Sequence, residues 1–92
     1  MKDYKGRSLK VGDTVKIRRY DLMVKEFGKD EDGNISPEII KHRFMGAFKI
    51  HCGRKCVVDK IVKYDGNEFA RSKAVLTEHG FMCNLPGIAI QK

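Results

Sequence analysis

The amino-acid sequence predicts a mainly β fold, a small closed or nearly closed barrel of about five short strands with one short helix in an insertion. Three observations point there. Fifteen of the 92 residues are Val or Ile, against eight that are Leu or Ala, and β-branched side chains suit a pleated surface better than a helix. Apolar and polar residues alternate with a period of two in several short stretches, as strands with one buried face require. Turn signals rich in Gly and Asp separate those stretches, and a thin sheet escapes aggregation by closing on itself.

The first strand follows the Gly12-Asp13 turn. Val15 and Ile17 fall on one face, and Thr14, Lys16 and Arg18 on the other, which gives a half-buried strand whose outer face is cationic. Leu22-Met23-Val24 reads as its irregular continuation. Residues 28–35 form the most polar window and are expected to be an exposed, mobile acidic loop. That loop lacks the alternating ligands, central glycine and terminal Glu of a calcium-binding EF-hand.

Ser36-Pro37-Glu38 starts a helix on physical grounds. The Ser hydroxyl accepts from free backbone amides, Pro needs no amide at the first position, and Glu complements the helix dipole. With Ile40 and Phe44 four apart, one or two turns run to about residue 45, where Gly46 ends them. A strand through Ile39-Ile40 is the alternative.

Strand alternation returns at Phe48 and Ile50, breaks at Cys52-Gly53-Arg54-Lys55, and resumes from Cys56 to Tyr64. Asp65-Gly66 supplies the positive φ of a tight hairpin, so the stretch from Glu68 is its returning strand. A second turn at Glu78-His79-Gly80 and a corner at Leu85-Pro86-Gly87 lead to a short closing strand, Ile88-Ala89-Ile90. The expected core holds Val15, Ile17, Ile40, Phe48, Ile50, Val58, Ile61, Phe69 and Ile88.

Size and charge narrow the function. One domain over residues 1–92 is expected, with a thin core and little material for an enclosed catalytic cleft. No long apolar run is present, so no membrane partner is expected, and the cytoplasm is the expected location. The net charge is +7, which favours a monomer that meets acidic partners readily. It is unevenly spread: residues 1–20 carry seven basic and two acidic groups, residues 21–40 two and six, and residues 41–63 seven and one. Two basic segments therefore flank an acidic one.

Val11-Gly12-Asp13-Thr14-Val15-Lys16-Ile17-Arg18, followed after an insertion by Gly53-Arg54-Lys55-Cys56-Val57-Val58-Asp59-Lys60-Ile61, resembles the opening strands of small SH3-like barrel proteins of bacteria and their phages. A weaker similarity, through the Gly-Asp turn and a later Gly-basic turn, is to KOW-type barrels of ribosomal and transcription-elongation proteins. Much of that family has no assigned function, so the resemblance implies an SH3-like β-barrel more than an activity; together with the absence of catalytic motifs it points to a non-catalytic interaction module. The tryptophan-rich end common in that family is here Phe81-Met82-Cys83, and the chain has no Trp.

Two constellations bear on chemistry. Cys52 and Cys56 lie four apart around Gly53, as do His79 and Cys83 around Gly80, and four such ligands suit tetrahedral zinc if both turns bring them together. A continuous strand instead holds residues four apart at about 13 Å; the competing reading is that Cys56 and Cys83 are small core residues. No metal, other cofactor or catalytic residue is assigned, because no nucleophile elbow, phosphate loop or glycine-rich fingerprint is present. The second set is cationic: Lys16, Arg18, Arg54, Lys55, Lys60 and Lys63. Each is able to neutralise a phosphate, although a solvated outer face that discourages edge pairing also explains them. The expected function is thus a non-enzymatic interaction module that binds a protein partner, the alternative being a nucleic-acid-binding barrel that uses its basic strands.

Overall fold

The computed structural model describes residues 1–35 and 46–92, the side chains of 46–48 excepted. The alternation in the first stretch becomes strand β1 (Thr14–Ile17), with Val15 and Ile17 buried and Thr14 and Lys16 exposed. The remaining strands are β2 (Lys55–Val57), β3 (Lys60–Tyr64), β4 (Asn67–Arg71), β5 (Leu85–Pro86) and β6 (Ile90–Gln91). They form two three-stranded antiparallel sheets, in the orders β2-β1-β6 and β3-β4-β5. The fold is mainly β; among the described residues no strand pairing joins the sheets into a closed barrel.

The stretch expected as one strand from Cys56 to Tyr64 is two. It breaks at Val58-Asp59, where the chain leaves the first sheet and enters the second. Val58 is 1% exposed at this crossing, and its amide donates to the Asp13 carbonyl while its own carbonyl accepts from Gly12. The Asp59 amide already bonds Arg71 of β4. Hydrogen bonding therefore continues through the break and changes partner there.

The β3–β4 hairpin follows the sequence reading. Tyr64 pairs with Asn67 across a two-residue turn, and both turn residues have positive φ, 49° at Asp65 and 81° at Gly66. That is the twist two-residue hairpins need.

Two expectations are corrected. Leu22-Met23-Val24 belongs to helix α1 (Tyr20–Phe27), not to a strand. Tyr20, Met23, Val24 and Phe27 recur at i, i+3, i+4 and i+7, the spacing of a helical face; Met23 is fully buried and the other three pack against the core. Its tyrosine hydroxyl donates to the Gly33 carbonyl, tying the helix to the acidic loop, whose Asp30 carboxylate accepts from the amides of Asp32 and Asn34. Residues 46–51 form a 3-10 helix (Gly46–His51) rather than a strand. With three residues per turn, neighbours point about 120° apart; His51 turns inward and Ile50, expected in the core, is 77% exposed. The expected helix over 36–45, with Ile40, and the expected core side chain of Phe48 lie outside the described residues.

Ile88 is also displaced from its expected place. It sits half-buried in a 3-10 turn (Gly87–Ala89), and this turn delivers Ala89 and Ile90, both fully buried, to the core instead. Glycine is required at position 87, since a Cβ there would lie 2.3 Å from the Lys2 carbonyl oxygen. Val15, Ile17, Val58 and Phe69 are buried as expected, and the half-buried Ile61 packs against the core.

Candidate functional site

Register decides which cations meet. In the β1–β2 pair Lys16 stands directly opposite Lys55, and Thr14 opposite Val57; on the other side of β1, Lys16 faces Gln91 of β6. The flanking bonds, Ile17 amide to Arg54 carbonyl and Val58 amide to Asp13 carbonyl, make residues 13, 15 and 17 the hydrogen-bonded positions. Lys16 and Lys55 therefore occupy a non-hydrogen-bonded pair, where facing side chains lie closest. Both are exposed, and neither has an ion-pair partner among the described residues. Thr14, Val15, Lys16, Lys55, Gln91 and Lys92 line a shallow groove of about 290 Å³. Arg54, the exposed residue just before β2, does not line this groove; it stands opposite the buried Ile17, so alternation along the strand places it on the other side from Lys55. Two like charges held directly opposite each other are unfavourable unless an anion bridges them.

The other three expected binding residues do not join this face. Arg18 is 8% exposed, because β1 ends at Ile17 and the chain turns into α1. Its guanidinium donates to the Ile88 carbonyl (2.9 Å) and to Glu26 Oε2 (2.6 Å), and it stacks 3.8 Å from the ring centre of Tyr4. The expectation of Arg18 on a free outer face is thereby corrected. Lys60 stands opposite Arg71 and Lys63 opposite Glu68 in the second sheet; three positions apart on one strand, they point to opposite sides.

The four-residue Cys/His set does not assemble. Among the described residues no three His, Cys, Asp or Glu side chains gather as a metal-binding group. Cys56 and Cys83 are buried core residues, Cys52 is half-buried, and all three are free thiols. Burial pushes all three thiols above their ordinary pKa; the Lys49 charge and a backbone bond oppose this at Cys52, and a bond from Ser72 opposes it at Cys56. They stay protonated at neutral pH, the form that is a poor nucleophile and metal ligand. His79 is 75% exposed beside Glu78. His51 is buried, with Nε2 3.0 Å from the Leu76 carbonyl oxygen.

A feature absent from the sequence reading is a cleft of about 220 Å³ between the N-terminal segment and the second sheet, lined by Phe69, Pro86 and Ile88 together with Lys2, Asn67 and Glu68. No sequence signal identifies it, since its walls come from segments more than sixty positions apart. No helix among the described residues is long and apolar enough to cross a membrane. The chain matches no protein-family model, no curated protein and no solved structure.

Proposed function

We propose that the chain is a non-catalytic interaction module, an SH3-like barrel in build, that docks an anionic macromolecule on the outer face of its first sheet. The observation that carries this reading is the exposed Lys16–Lys55 cross-strand pair, neither member of which has an ion-pair partner among the described residues. The burial of Cys56 and Cys83 in the core and the raised thiols support a role without catalysis. Retention on a heparin column tests it. Lys16→Glu with Lys55→Glu should elute at distinctly lower salt than Lys63→Glu with Lys73→Glu, which makes the same change in net charge on other segments. Equal elution of the two variants means that overall charge alone acts, and the reading fails.

A protein partner is favoured by a different feature, the cleft with Phe69, Pro86 and Ile88 in its walls, since apolar pockets anchor protein interfaces. On this second reading Ile88→Lys loses a nuclease-resistant protein partner that Lys16→Glu with Lys55→Glu retains. Loss of the partner in the double lysine variant, with retention in Ile88→Lys, removes the cleft from consideration.

A further inference from the structure

We infer that the ligand of the first-sheet face is the sugar-phosphate backbone of a nucleic-acid duplex, gripped without reading its bases. This rests on the docking role proposed for the same face and names its partner. The outward groups in register are the Lys16 and Lys55 ammoniums, the Thr14 hydroxyl and the Gln91 amide. All of them donate hydrogen bonds, and these side-chain types commonly contact phosphate oxygens. The nearby carboxylates are already engaged: Asp13 with the Lys10 amide and Lys92, and Asp59 with the Lys73 amide.

What the face lacks separates duplex from the alternatives. Among the described residues Val57 is the one large apolar side chain in these rows, and the other exposed ones lie elsewhere: Val11 on a turn, Leu22 on α1, Ile50 in the Gly46–His51 helix, Tyr64 on β3, and Leu76 and Phe81 on either side of the turn at residues 78–80. Protein interfaces draw most of their energy from aromatic and apolar anchors in pockets, which the described residues of this face do not present. Single strands are held chiefly by bases stacking on aromatic rings, and among the described residues no exposed ring stands in these rows. A flat row of donors fits a rigid duplex backbone, whose charge is dense and whose bases are already stacked.

Fluorescence-anisotropy titration of the full chain tests the inference. The probes are labelled duplexes of about 20 base pairs, one A·T-rich and one G·C-rich, a single-stranded oligothymidine of equal length, and unlabelled polyglutamate as competitor. Two to three neutralised phosphates predict that binding to both duplexes weakens about 12- to 40-fold between about 50 and about 200 mM salt. Lys16→Gln and Lys55→Gln, each shown folded by its melting curve, should each reduce the slope of log affinity against log salt by about one; Lys63→Gln should leave it unchanged. Tighter binding of the oligothymidine, or a clear preference between the duplexes, overturns the inference. Polyglutamate competing as well per charge as unlabelled duplex overturns it while leaving the docking role intact. Binding of no probe at low salt overturns both.

Discussion

The guanidinium of Arg18 makes three contacts at once, to a backbone carbonyl in the Gly87–Ala89 turn, to Glu26 on α1 and to the ring of Tyr4. It thus pins the helix and the N-terminal segment to the turn that leads into β6. A cation in that position acts on stability rather than on recognition, since its donors face inward and desolvation is offset by good geometry. Arg18→Met keeps the aliphatic stem and removes the fork. It is expected to cost about 2 kcal/mol, less than a fully buried pair because Glu26 is half-exposed. Urea unfolding measures that loss, and the same variant assayed well below its melting temperature should keep nearly all of its heparin retention. A large loss of retention with unchanged stability would show that Arg18 binds ligand after all.

At the scale of elements, the Lys16–Lys55 pair sets binding against stability. Directly opposed like charges destabilise an antiparallel pair, and an opposite charge placed there stabilises it by about 0.2–1 kcal/mol. Lys55→Glu is therefore expected to raise the melting temperature of the free protein while weakening polyanion binding; a variant that lost both would show that Lys55 supports the fold. Lys16 was legible in the sequence as an exposed strand cation and Lys55 as a cation in the break that precedes the central strand, but their adjacency was not, because register depends on which strands pair. β1 and the Asp65-Gly66 hairpin were legible because alternation and turn chemistry are local. Helix α1 was legible in principle through Tyr20, Met23, Val24 and Phe27, yet no side chain caps it at Arg19, so the start signal is missing. The split between β2 and β3 and the 3-10 helix at Gly46–His51 depend on tertiary partners, the second sheet for one and the Leu76 carbonyl for the other. A pattern that alternates equally well for a strand does not reveal either.

Across the whole molecule, Asp3 closes the chain on itself. Its side chain is fully buried and accepts from the amides of Lys5, Arg7 and Lys92 and from Arg7 Nε, all at 2.9–3.0 Å. The neighbouring Tyr4 amide bonds the Ile90 carbonyl, so the N-terminal segment lies along the outer edge of β6. Burial alone would push the Asp3 carboxyl up, but the three amides and the Arg7 charge more than offset it, and its pKa lies below the ordinary Asp value. A carboxylate more acidic in the folded than in the unfolded chain stabilises the fold only while ionised. Its contribution is complete above the ordinary Asp pKa of about 4 and is lost as pH falls through its own lower value. Asn at this position keeps the shape but faces two of the four donors with an amide that cannot accept, at an expected cost of about 2–3 kcal/mol near pH 7. Urea midpoints measured from about pH 7 down to about pH 2.5 should therefore converge for wild type and Asp3→Asn as the acid limit is approached. A gap between the two that stays constant through that range would mean that the Asp3 carboxylate does not link acid unfolding to the junction of the chain ends.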